Sequence, residues 1–144
     1  MRVGLVNGVF DLFHDGHRFM LREAAMQCDL LIVAVNHDKW VTQHKGEGRP
    51  FDYLEARMKH IRNFARQLPC IVSVIPFDGY EEGLIVHIHP DVVFKGYDHG
   101  AHHTPDKGHY LSGSAQVAKG IGCDIVHIGH LPGYSTTELA KHER

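Results

Sequence analysis

Five short, predominantly apolar runs punctuate the chain, at residues 3–6, 30–35, 70–75, 92–94 and 125–128. Runs this short and without polar alternation suit parallel strands covered on both faces, rather than half-exposed antiparallel ones. Between them lie segments with a helical period. Residues 17–27 offer Leu21, Ala24 and Ala25 at helical spacing, and Leu54, Met58, Ile61, Ala65 and Leu68 mark the clearest helix. Asp52, with Glu55 three positions on and Pro50 just before, predicts a box-like cap for that helix. Weaker helical signals at 81–88, 112–119 and 136–142 complete a βαβαβαβαβα order. Right-handed crossovers wind such an order into one Rossmann-like α/β domain, a parallel five-stranded sheet with helices on both faces.

The size agrees, because 144 residues suffice for one well-buried core and not for two. The 15 basic and 17 acidic side chains nearly cancel, so no basic patch points to nucleic acid. The longest apolar run, residues 30–35, is far below the roughly 18 residues of a membrane-spanning helix, so neither a membrane span nor export by a signal is expected. Cys28, Cys70 and Cys123 form no CxxC pair and cannot all pair within one chain, so a reduced, cytoplasmic protein is expected. Fourteen histidines are the compositional oddity, and near neutral pH they serve as proton donors, phosphate partners or metal ligands.

In an open parallel sheet, ligands sit beyond the carboxyl ends of the strands. That directs attention to residues 7–16, 36–49, 95–110 and 129–135. The first reads GVFDLFHDGH, with His14 and His17 where a strand turns into a helix. A helix N-terminus there presents backbone N–H groups and a partial positive charge, while Gly8 and Gly16 admit a ligand close to the backbone, so phosphate is the natural guest. A plainer reading has His14 cap the turn and His17 begin the helix.

GVFDLFHDGH resembles the GxFDxxHxGH signature of the HxGH nucleotidyltransferase superfamily. Four further segments fall in that family's order, namely KGEGRP at 45–50, LEAR at 54–57, KGYD at 95–98 and GYSTT at 133–137. A dinucleotide GxGxxG is absent after the first strand. The closest resemblance is to the heptose 1-phosphate adenylyltransferase domain, which implies transfer of AMP from ATP to a sugar 1-phosphate. The glycerol-3-phosphate cytidylyltransferase group is the alternative, with CTP and a polyol phosphate. Its usual arginine is missing from LPGY at 131–134. A nucleotide- or metal-binding module without turnover is a third reading. Tyr97 replaces the glycine usual in KGGD, and residues 99–109 depart from the heptose enzymes.

The resemblance implies roles residue by residue. His14 and His17 stabilise charge on the α-phosphate, with Lys45 reaching the phosphates from the loop after the second strand. Gly8, Val9, Phe10, Asp11 and Gly16 line the nucleotide, although Phe10 equally suits the core. Arg57 either reaches the triphosphate or pairs with Glu55 or Asp52, and Arg49 is a weaker candidate. Lys95, Gly96 and Asp98 lie near base and ribose. Ser135, Thr136 and Thr137, followed by Glu138, read as a capping box that presents donors to the β- and γ-phosphates. His99, His102, His103 and His109 read as an acceptor-side loop in preference to zinc, since no cysteine lies near them. Dedicated metal ligands are not expected, and Mg²⁺ would arrive with ATP. The expected partners are ATP, a small phosphorylated acceptor and a second copy of the chain, a dimer being favoured. A kinase that phosphorylates the acceptor is implied as well.

Overall fold

A computed structural model describes residues 1–97 and 113–129. The chain runs β1 (Val3–Gly8), α1 (Asp15–Ala25), β2 (Leu30–Asn36), α2 (Asp38–Lys45), α3 (Leu54–Ala65), β3 (Ile71–Phe77), α4 (Glu81–Ile88), β4 (Val92–Tyr97), α5 (Gly113–Gly120) and β5 (Asp124–Gly129). All strand pairs are parallel, in the order β3-β2-β1-β4-β5. The expected α/β sheet of five strands is therefore present. Each expected strand is found, one to three residues longer at its carboxyl end.

Side chains alternate across the sheet with the strand period. Val6, Val33, Val92 and Phe94 face the side covered by α1 and α3, where Leu21, Ala24, Met58, Ile61 and Phe64 join one apolar cluster. Leu5, Ala34 and Val93 face the other side and meet Ile85 of α4 and Ala118 of α5. Helices on both faces follow from this alternation. The expectation of burial on both faces holds for the three central strands and fails at the edges, where β3 and β5 are partly exposed and Ile71 is 63% exposed. An edge strand has a neighbour on only one side, and Pro76 is tolerated in β3 for that reason.

Two local expectations need correction. Residues 38–45 form α2 where a loop was expected, so the order carries one extra helix. The N-cap of α3 is Tyr53, whose side chain caps nothing, in place of Asp52. The backbone of Asp52 is drawn elsewhere: its N–H donates to Asp11 Oδ1 (2.8 Å) and its carbonyl accepts from Arg57 Nε (2.9 Å). The helix expected at 136–142 lies outside the described residues. No helix among the described residues is long and apolar enough to cross a membrane.

The strand order sets the place of the site. From β1 the chain winds outward through β2 to β3, then crosses back over β2 and β1 to reach β4. The connection from β1 to β2 and the one from β3 to β4 run in opposite directions, and between β1 and β4 a crevice opens at the carboxyl ends of the strands.

Candidate active site

A cleft of about 670 Å³ occupies that crevice, a volume suited to a small-molecule ligand. Every strand contributes its carboxyl end: Asn7 and Gly8 from β1, Asn36 from β2, Phe77 from β3, Gly96 from β4 and Gly129 from β5. His14, Gly16, His17 and Met20 enter from α1, Trp40 and Lys45 from α2, and Tyr80, Glu81 and Glu82 from the start of α4.

The two histidines form a reciprocal cap. His14 is the N-cap of α1 in an extended backbone conformation, and its Nδ1 accepts from the Gly16 N–H (3.1 Å). His17 Nδ1 accepts in turn from the His14 N–H (3.2 Å). This is the geometry of a Ser-x-x-Glu capping box with imidazole nitrogens in place of the oxygens. A ring nitrogen that accepts from an amide holds no proton, so each neutral ring carries its hydrogen on Nε2. The rings stack 3.7 Å apart at 23°, and Phe10 and Phe13 pack against His17. The plainer reading, in which His14 caps the turn, is therefore what the structure shows, and both rings stand in the cleft wall. The cap also occupies the Gly16 amide, which sequence reasoning had left for phosphate.

Phe10 is both a core residue, 4% exposed, and part of the cleft wall. Its φ of 55° is in the left-handed region, so the loop after β1 stores backbone strain. A Cβ on Gly8 would come within 3.2 Å of the Phe10 ring, which explains that glycine by packing.

Arg57 is placed differently from the expectation. It is fully buried behind the cleft, and its guanidinium donates to the carbonyls of Val9 (2.8 Å), Asn36 (2.9 Å) and Asp52 and to Asp38 Oδ1 (2.6 Å). Its ionic partner is Asp38 of α2, neither Glu55 nor Asp52. Arg57 clamps the loop after β1 to the end of β2 and to α2. Asp11 works in the opposite sense. It borders the cleft, yet its carboxylate accepts from the Phe51 N–H (2.7 Å) and the Asp52 N–H, with Arg49 Nε at 3.6 Å. Arg49 itself lines the cleft and stacks over Phe51.

Lys45 borders the cleft from the last turn of α2, where a loop position was expected. The Thr42 hydroxyl donates to the Arg49 carbonyl (2.7 Å), closing the loop that follows Lys45. Lys95 donates to Glu81 (2.5 Å) and to the Ser114 hydroxyl (3.1 Å), while Gly96 borders the cleft. Burial alone would raise the Glu81 carboxyl. The Lys95 ammonium, with hydrogen bonds from Lys95, Ser114 and Asn7, outweighs burial and holds it below its ordinary value.

Sequence reasoning missed the wall formed by Phe77, Tyr80, Glu81 and Glu82, because no apolar pattern reveals that the crossover from β3 passes over β1. Trp40 was unmarked too. Asn7 and Asn36, polar ends of apolar runs, were a usable signal. Asp98, Ser135, Thr136, Thr137 and the histidines at 99, 102, 103 and 109 lie outside the described residues. Among the described residues, no group of three or more His, Cys, Asp or Glu gathers as a metal cage.

The sequence model of the cytidylyltransferase-like family matches residues 5–140, nearly the whole chain. The chain belongs to the cytidylyltransferase-like family. That membership bears out the resemblance carried by GVFDLFHDGH. Within the family, the chain is 39% identical over 96% of its length to the bifunctional protein HldE of Hydrogenovibrio crunogenus. It is 34% identical over 99% of its length to that of Pseudomonas syringae pv. syringae. This cytidylyltransferase-like chain spans about a quarter of those relatives, 26% and 28% of their lengths. Among solved structures, a lipopolysaccharide core biosynthesis protein from Thermoplasma volcanium superposes with a TM-score of 0.65 at 24% identity, covering 91% of this chain and 98% of that one. At that identity the likeness speaks for the fold alone.

Proposed function

We propose that the chain is an adenylyltransferase that moves AMP from ATP to a sugar 1-phosphate of the heptose 1-phosphate kind, releasing pyrophosphate. The observation that carries the reading is the paired-histidine cap, which sets both imidazoles in the wall of a cleft at the head of a helix. An acceptor phosphate oxygen attacks the α-phosphorus in line with the departing pyrophosphate, and no covalent enzyme intermediate is needed. His14 and His17 donate to the oxygens on which charge builds, and the α1 N-terminus favours the same charge. Lys45 and Arg49 supply positive charge along the phosphates. Mg²⁺ is proposed to arrive on the nucleotide, where it would neutralise phosphate charge. The donor set fits that route, because Asp11 is engaged by backbone amides and Glu81 by Lys95. Asp98, Ser135, Thr136 and Thr137 are proposed nucleotide contacts through the family motif.

The test is pyrophosphate release with ATP, CTP, GTP and UTP, each against sugar 1-phosphates and polyol phosphates with Mg²⁺ present. Turnover with ATP and a sugar 1-phosphate is expected. Turnover with CTP and a polyol phosphate instead would move the chain to the cytidylyltransferase alternative, and silence with tight nucleotide binding would leave a binding module.

A further inference from the structure

The amino-terminal edge of the sheet, opposite the cleft, brings together two cysteines that are forty-two positions apart in sequence. Cys28 lies in the connection from α1 to β2, and Cys70 immediately precedes β3. The two strands pair in parallel from Leu30 opposite Ile71, and the Ile71 N–H donates to the Asp29 carbonyl (3.1 Å). That register sets Cys70 opposite Asp29, one residue from Cys28. Neighbouring strands lie about 4.8 Å apart, so Cys70 stands at about that distance from the residue next to Cys28, on the scale of the roughly 4.4–6.8 Å that a disulfide bridges. The two thiol groups are near enough to act on each other electrostatically. Both are half-buried against one apolar cluster, and the Cys28 thiol also donates to the Ala24 carbonyl (3.4 Å). A Cβ at Gly4 of β1 would come within 3.0 Å of Cys28 Sγ, so that sulfur has little room to turn away.

We propose that Cys28 and Cys70 form a dithiol that a small disulfide such as oxidised glutathione converts into an intrachain disulfide, stapling the α1–β2 connection to the head of β3. One cysteine thiolate attacks the sulfur–sulfur bond of the oxidant, which breaks to release one glutathione thiolate and leaves a mixed disulfide. The second cysteine thiolate then attacks the protein sulfur, closing the Cys28–Cys70 bond and releasing the second glutathione. Two electrons pass to the oxidant, and the two thiol protons end on the two glutathiones formed.

Closure is slow at neutral pH. Burial, with Cys70 and Asp29 acting the same way, pushes the Cys28 thiol up to about 12, and burial raises Cys70 as well. The closing rate therefore rises about tenfold per pH unit over the working range. Cys123, buried beside β5 at the far side of the sheet, takes no part. The cleft lies at the other ends of strands six or seven residues long, about 20 Å away, so nucleotide binding is unaffected.

The full chain incubated with oxidised glutathione, then acid-quenched, digested and weighed, tests this. The expected result is one Cys28–Cys70 linkage in the wild type and in Cys123→Ser, and none in Cys28→Ser or Cys70→Ser. Oxidation should raise the melting temperature by about 5 °C or more, reversibly by dithiothreitol. Reaction that stops at glutathione adducts, a linkage that includes Cys123, or an unchanged melting temperature in the linked protein would overturn the proposal.

Discussion

In the proposed mechanism the two ring nitrogens of His17 have two separate jobs, and substitution can separate them. Nδ1 accepts from the His14 N–H, which any well-placed acceptor could do, while Nε2 is the donor proposed for catalysis. Asparagine sets its amide oxygen near the Nδ1 position and offers nothing at Nε2. His17→Ala should lose about 1 kcal/mol of stability and about a hundredfold or more in turnover. His17→Asn should keep most of the stability and lose the same turnover. Denaturant titration alongside pyrophosphate release checks the split, and near-normal turnover in His17→Asn would end the assignment of Nε2 as the working donor. At this scale the motif was legible because both histidines serve a local geometry set within four residues. Arg57 and Asp11 were not legible, since an arginine or a carboxylate reads the same in sequence whether it faces ligand or backbone.

Among the elements, α2 escaped the sequence reading for a physical reason. Of its eight residues only Val41 is buried, so no apolar stripe announces a helix. What holds it is tertiary: Asp38 at its first turn pairs with the buried guanidinium of Arg57, which α3 carries. Arg57→Lys decides between clamp and phosphate ligand. Lysine keeps the charge, so a phosphate ligand would retain much of its nucleotide affinity with the fold unchanged. A clamp that loses its planar fork leaves buried carbonyls of Val9, Asn36 and Asp52 short of donors and should cost about 2–4 kcal/mol. Chemical denaturation of the variant measures this, and a loss below about 0.5 kcal/mol would contradict the clamp. The helices α1 and α3, by contrast, were readable because each buries a periodic stripe against the sheet.

Across the whole molecule, the β3-to-β4 crossover unites segments that are remote in sequence. It carries Glu81 to Lys95 of β4, Ser114 of α5 and Asn7 of β1, a network on the α4–α5 face of the sheet at the strand switch. Because the Glu81 carboxyl is held below its ordinary 4.5 in the folded state, its stabilisation is complete above that value. It drains away as pH falls through the lower folded value. Between about pH 6 and pH 3 the wild type should therefore lose more stability than Glu81→Gln, whose amide does not titrate. Equal losses in thermal melts at the two pH values would refute the assignment. The sequence by itself determined the α/β alternation, the two-faced sheet and the family motif, since apolar periodicity and a ten-residue signature are local properties. Only the tertiary structure decided that Arg57 and Asp11 turn inward, that α4 walls the cleft, and that Cys28 meets Cys70. Those contacts depend on strand order and register, and a linear pattern of residue types carries neither.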